Sequence, residues 1–267
     1  MGSLSRVKRV KDFSELDIEM LVTGECVALI VEGYYSAVDS DRLAANVLKS
    51  KRVENYTHEV SDEGRLEEKY FGVDRLGVPF NGLYKAKAGD GKREHYYQQA
   101  KQSIQYLRGL ASPALTPIDR LRLELDERMS FGATVASFEG QKMLAGIVRI
   151  TRSDLSYLSA EQPHFDALPE QFARLDAQLA ANVYLKVPDK GGELELWDVP
   201  PLGPLTTVPA DWRSELPPSL RIKPLKGDMV LFNCRRPHAI CEFEGEDRIT
   251  AQMFMGYCSG QPLQMWN

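Results

Sequence analysis

Two hydrophobic textures divide the chain. From about residue 131 onward, short runs of β-branched and aromatic residues are broken at close spacing by Gly, Pro and Asp. These runs are Thr134 to Phe138, Ala145 to Thr151, Leu179 to Val187, Gly192 to Trp197, Met229 to Phe232, His238 to Phe243 and Ile249 to Tyr257. Runs of this length, separated by turn residues, predict the strands of a β-sandwich or barrel. The first half is mixed. Apolar residues three and four apart predict helices over Ser14 to Leu21, Asp39 to Leu48, Gln98 to Leu110 and Pro117 to Met129. Asp39 or Ser40 is the expected cap of the second, with Leu43, Val47 and Leu48 on one face. In the last, Thr116 caps, Pro117 takes the first turn, and Leu121, Leu125 and Met129 share a face. Cys26 to Val31 is an apolar run of strand length ended by Gly33, which predicts a buried strand. Asn55 to Asp90 is polar, punctuated by glycine and carries Tyr56, Tyr70, Phe71, Phe80 and Tyr84, which predicts long aromatic loops.

No internal repeat, low-complexity tract or linker interrupts this pattern, and the proline-rich stretch Pro200 to Pro218 reads as an insertion between strands. The expected organisation is a single domain over residues 1–267, with 1–130 as helical and loop support and lid and 131–267 as the β core. The expected fold class is α+β, mainly β. Composition narrows the function classes. Lys and Arg number 33 against 38 Asp and Glu, a formal net charge of -5, and no long basic run is present. This argues against nucleic acid as a partner, because such binding rests on phosphate neutralisation. No stretch approaches the roughly 18–20 apolar residues of a membrane helix, and Met1 to Arg6 lacks the apolar core of a signal peptide. The expected location is the cytoplasm. Cys26, Cys234, Cys241 and Cys258 have no CxxC spacing and are expected to be reduced thiols.

Candidate chemistry centres on the histidines, of which there are four. His58 and His95 lie in polar segments and are expected at the surface. His164 stands in Pro163-His164-Phe165-Asp166; in extended chain, residues two apart point the same way, so His164 and Asp166 present an imidazole and a carboxylate to one side. His238 opens a later β run and completes a set of two imidazoles and one carboxylate if the two segments face each other. That set is the one non-haem Fe(II) oxygenases use. Ten residues after His238 comes Arg248, in a strand-like run with Thr250, where its guanidinium can clamp a carboxylate through paired hydrogen bonds. Upstream lie Tyr184-Leu185, then Gly191-Gly192-Glu193-Leu194, then Gly227-Asp228 leading an apolar run toward His238.

In this order the motifs resemble those of the Fe(II)/2-oxoglutarate-dependent oxygenase superfamily, over roughly Gly146 to Tyr257. The likeness is nearest to the group that holds the carrier-independent aliphatic halogenases and their hydroxylase relatives. Those halogenases have Gly where this chain has Asp166, so the resemblance implies hydroxylation. It further implies a double-stranded β-helix (jelly roll) buttressed by N-terminal helices, with Fe(II) held by His164, Asp166 and His238. Arg248, with Thr250 beside it, is the expected partner of 2-oxoglutarate, and Arg149 is a candidate for its other carboxylate or for a substrate anion. Glu161, Gln252 and Trp266 are the expected substrate contacts. The substrate class implied is a small metabolite, foremost a free amino acid or a derivative of one. A nucleotide or alkaloid, a desaturation or cyclisation outcome, and a non-catalytic cupin-like binding module remain alternatives, and a homodimer is left open.

Overall fold

Period-two patterning on two long strands sets the layout. In the computed structural model, which describes residues 6–267 except 63, 64, 85, 87, 88, 90, 161, 162 and 210, the helices are α1 (Glu19–Val22), α2 (Ala37–Leu48), α3 (Lys92–Ala111), α4 (Pro117–Arg128) and α5 (Ser156–Ala160). The strands of the two larger sheets are β1 (Val7–Val10), β2 (Ala28–Val31), β3 (Glu54–Asp62), β4 (Arg65–Leu76), β5 (Ala133–Val135), β6 (Ile147–Thr151), β7 (Ala177–Lys186), β8 (Leu194–Leu196), β9 (Leu220–Ile222), β10 (Met229–Asn233), β11 (His238–Ile240), β12 (Arg248–Tyr257) and β13 (Leu263–Trp266). In the ten-stranded sheet the order is β1-β2-β10-β7-β12-β6-β4-β3, with β13 pairing β12 and β5. Its neighbours are antiparallel except β1 with β2 and β13 with β5.

Successive side chains of a strand leave on opposite faces. On β7, Leu179, Ala181, Val183 and Leu185 face one way, and on β12 Ile249, Ala251, Met253 and Met255 join them. This first face receives Leu43, Ala44 and Val47 of α2, Leu107 and Ala111 of α3, and Ile118, Leu121 and Leu125 of α4. The second face carries Ala28, Ile30, Ala180, Tyr184, Val230 and Phe232. It packs against Leu194, Leu196 and Ile222 of a three-stranded antiparallel sheet ordered β9-β8-β11. Each aliphatic side chain buried this way contributes roughly 1.5–3 kcal/mol, so the central sheet is the rigid layer between helices and small sheet. The fold is thus mixed α+β and mostly β.

Several local expectations change. The cap of α2 is Ser36, whose Oγ accepts the Asp39 N–H at 3.1 Å, so the helix starts ahead of Asp39. The first predicted helix breaks into a 3-10 turn at Phe13–Glu15 and α1, because the Asp17 carboxylate accepts the Glu19 N–H at 3.0 Å and restarts the chain there. The region read as loop contains the hairpin β3–β4, whose Val73 to Leu76 pair with β6. A ribbon at a sheet edge is held by backbone hydrogen bonds and needs little apolar sequence. Gly227 is required where it stands: at φ +90°, a Cβ would lie 2.3 Å from Tyr35 O. The adjoining Asp228 accepts the N–H groups of Gly33 and Leu225, both at 2.9 Å, and so aims β10 into the sheet.

One buried carboxylate joins the helices. Asp119 is capped by Thr116, takes two hydrogen bonds from Arg108 at 2.9 and 2.7 Å and a third from Arg122 at 3.0 Å. Burial opposes its charge, but the hydrogen bonds from Arg108 and Thr116 outweigh that and hold the carboxyl below its ordinary range. A depressed pKa stabilises the fold above the unfolded carboxyl's value, and that contribution disappears as pH falls through the folded value. Asp119→Ala is therefore expected to lower the unfolding free energy by about 2–3 kcal/mol at neutral pH. Urea titrations should show the gap to wild type closing below about pH 3.9; a gap independent of pH would contradict the assignment.

Candidate metal centre and its cavity

Two distant segments are brought together by backbone pairing. His164 N–H donates to His238 O at 2.9 Å, His238 N–H donates back to His164 O at 2.8 Å, and Asp166 N–H donates to Cys234 O at 2.8 Å. With the backbones tied in this register, one ligand atom from each of His164, Asp166 and His238 lies within 4.8 Å of the others. The imidazole centroids are 4.3 Å apart, and His238 Nε2 is 3.4 Å from Asp166 Oδ2. His238 is buried and His164 stands at the exposed rim.

The electrostatics of this group call for a cation. His238 Nδ1 lies 2.9 Å from Arg236 O. A carbonyl only accepts, so Nδ1 carries the proton and Nε2 turns a lone pair toward the carboxylate. Burial opposes the ionisation of Asp166; a hydrogen bond from His238 when its ring is protonated, and the charges of His164 and Arg149, outweigh it and hold the carboxyl well below its usual range. Asp166 Oδ2 is itself buried without a hydrogen-bond donor. Two electron-rich atoms facing each other in this way fit a metal ion between them. Two imidazole nitrogens and one carboxylate are the donor set suited to Fe(II) with open positions.

A cavity of about 320 Å³ adjoins these three residues. Strand register builds its floor: Thr250 pairs with Arg149, Arg248 with Thr151 and Gln252 with Asn182, so all six share the second face of the sheet and line the space. Arg248 is 3% exposed, donates from Nη2 to the Tyr184 hydroxyl at 3.1 Å and stacks over the Tyr184 ring at 4.7 Å. Burial raises the Tyr184 phenol, against the opposing pull of Arg248, so it stays protonated. No carboxylate of the described residues lies within 4.0 Å of the Arg248 guanidinium, and its Nε is buried without a partner. Leaving a charge buried and unpaired costs several kcal/mol, so the cavity is built for an anion at this end. Arg149 stacks over Tyr56 at 4.9 Å and likewise has no ion pair with a described carboxylate.

The structure thus gathers His164, Asp166 and His238 in one cluster and sets Arg248, Thr250, Arg149 and Gln252 around the adjoining cavity. Trp266 is placed elsewhere. It pairs with Phe254, is 1% exposed and packs in the core against the Phe254 ring at 6.0 Å, because the C-terminal segment forms strand β13 instead of a lid. Glu161 lies outside the described residues. His95 is exposed on α3, while Tyr96 and Tyr97 are core residues. Sequence reasoning missed Thr151, Asn182, Tyr56 and Asn81 as cavity residues. The first two follow from strand parity with Arg149 and Tyr184; the last two come from a region whose polar texture concealed its strands.

Residues 155–256 match the family model of the 2OG-Fe(II) oxygenase superfamily. No curated protein matches the chain. Among solved structures, the chain is similar to an N-substituted L-amino acid dioxygenase from Burkholderia ambifaria AMMD in complex with alpha-ketoglutarate, at 15% identity and a TM-score of 0.59 over 94% of this chain and 90% of that one. A second structure of such a dioxygenase from the same organism matches at 15% identity and a TM-score of 0.55, over 80% of this chain and 100% of that one. At this identity the likeness is one of fold. No helix among the described residues is long and apolar enough to cross a membrane. The segment that matches the family model of the 2OG-Fe(II) oxygenase superfamily holds the two histidines, the aspartate and the buried arginine.

Proposed function

We propose that the protein is a dioxygenase that hydroxylates an aliphatic C–H bond of a small amino-acid-derived metabolite, on a double-stranded β-helix. The observation that carries this reading is the buried Arg248 guanidinium, without a carboxylate of its own, in the same cavity as two imidazoles and a carboxylate gathered for a metal. The two layers formed by the large and small sheets support the jelly-roll description.

His164, Asp166 and His238 would hold Fe(II). Bound together, Fe(II) and 2-oxoglutarate would supply the activation of dioxygen, one oxygen atom ending in succinate as the keto acid loses carbon dioxide and the other in the hydroxylated C–H bond. The chain's own part is placement. The Nδ1 hydrogen bond to Arg236 O fixes the His238 ring, and the edge of Phe232, 4.9 Å away between centroids, holds it from the side. Arg248 and Tyr184, joined to each other, would receive the distal carboxylate of 2-oxoglutarate, and Thr250 adds a hydroxyl on the same face. Phe71, Val73, Leu158 and Ile240 line the same space and exclude water from it. Asp166 itself supports oxygen transfer over halogenation, since the resembling halogenases carry Gly at that position. The amino-acid class is supported by the dioxygenases of the same fold, whose names give N-substituted L-amino acids.

Two variants test the reading. His238→Ala is expected to lose Fe(II) binding in anaerobic equilibrium dialysis while keeping its fold by circular dichroism; undiminished iron would remove it from the ligand set. Arg248→Ala is expected to keep Fe(II) but weaken 2-oxoglutarate by about 2–5 kcal/mol, at least roughly thirtyfold in Kd by anaerobic calorimetry. An unchanged Kd would show that the keto acid binds elsewhere.

A further inference from the structure

Among its described residues, the cavity holds one positive charge more than Fe(II) and 2-oxoglutarate would neutralise. Among the described residues its charged lining groups are Arg149, Arg248 and Asp166. If the site works as a 2-oxoglutarate oxygenase, the reading on which this inference rests, the two charges of Fe(II) balance the two of the keto acid. Asp166 then balances one guanidinium, and the other is left over. In an enclosed site an unbalanced charge is costly, and the ligand that completes the cavity must supply the opposite sign.

Position decides which guanidinium is left over. Arg248 is the deeper of the two and is tied to Tyr184. Arg149 is only partly buried, its Nε has no partner among the described residues, and its hydrogen bond from Nη2 to the Tyr56 hydroxyl is long at 3.5 Å. Tyr56 is held in turn by Asn81, whose Nδ2 donates to the same hydroxyl at 2.6 Å. Stacking on the Tyr56 ring keeps the Arg149 guanidinium plane fixed at the cavity wall. Across the strand pair stands Arg75, itself engaged by Glu54 at 3.0 Å, so the described acid that faces Arg149 is Asp166, which the metal would engage. We propose that Arg149, steadied by Tyr56 and Asn81, receives the carboxylate of the substrate, and that the protein therefore selects carboxylic acids over their amides.

The test uses Fe(II)-loaded protein with 2-oxoglutarate under anaerobic conditions. It is titrated by calorimetry with N-acetyl-, N-carbamoyl- and N-succinyl-L-amino acids and with the C-terminal amides of the same compounds. In the wild type at least one acid is expected to bind, at least about tenfold more tightly than its amide. Arg149→Gln should erase that preference while leaving the 2-oxoglutarate Kd within about threefold, and Arg149→Lys should keep part of it. Melting temperatures close to wild type confirm that both variants fold. The assignment is overturned if amides bind as well as acids, or if 2-oxoglutarate binds but no acid of the panel does. It is also overturned if Arg149→Gln weakens 2-oxoglutarate instead, which would make Arg149 a cosubstrate ligand. Failure of the oxygenase reading itself looks different: 2-oxoglutarate would then not bind the Fe(II)-loaded wild type at all.

Discussion

The site depends on a pair of reciprocal backbone hydrogen bonds between His164 and His238. They join two segments far apart in the chain and fix their register, so that two imidazoles and the Asp166 carboxylate meet without help from a long helix or a loop of special sequence. The large sheet makes this possible. β10 delivers the chain to the turn before His238 from a position between β2 and β7, buried on both faces, and Gly227 with Asp228 sets the entry angle of that strand. A shift of one residue in β12 would turn Arg248, Thr250 and Gln252 toward the helices and put Ile249 and Ala251 into the cavity. The aliphatic face packed against α2 and α4 forbids that shift, so hydrophobic packing on one side of the sheet holds chemical groups in place on the other.

Charge explains why the cavity has the contents it has. Buried ionised groups are tolerated where partners compensate them, and elsewhere in this molecule they do. Asp119 sits among Arg108, Arg122 and Thr116, and Glu195 takes hydrogen bonds from Arg213 and Ser219, both at 2.6 Å. Around His164, Asp166 and His238 the pattern reverses. Arg248 and Arg149 have no described acid of their own, Asp166 Oδ2 has no donor, and the Asn182 Oδ1 atom is buried and unsatisfied. The compensation missing from the protein is the complement of a divalent cation and carboxylate ligands.

Much of the site was legible in the sequence because its spacing is set by strand geometry. The His164–Asp166 pair follows from period two, and Arg248 and Thr250 lie on one run of the same period. The helices α2 and α4 were legible from apolar spacing, although Ser36 competes successfully for the cap expected of Asp39 or Ser40. The hairpin β3–β4 was not, since edge ribbons draw on backbone hydrogen bonds that leave no hydrophobic signature; with it Tyr56 went unassigned. Trp266 lies where a local reading does not point. A terminal aromatic residue suggests a lid, but its pairing through β13 places it in the core, a fact of tertiary register that no local pattern encodes.

The proposed centre would bind a ferrous ion and a keto acid in contact, and visible absorption reads that contact directly. Anaerobic addition of 2-oxoglutarate to the Fe(II)-loaded protein should produce a weak charge-transfer band that is absent with either component alone and absent when succinate replaces the keto acid. A protein that binds Fe(II) and 2-oxoglutarate yet never develops the band would hold them apart, and the account would be wrong.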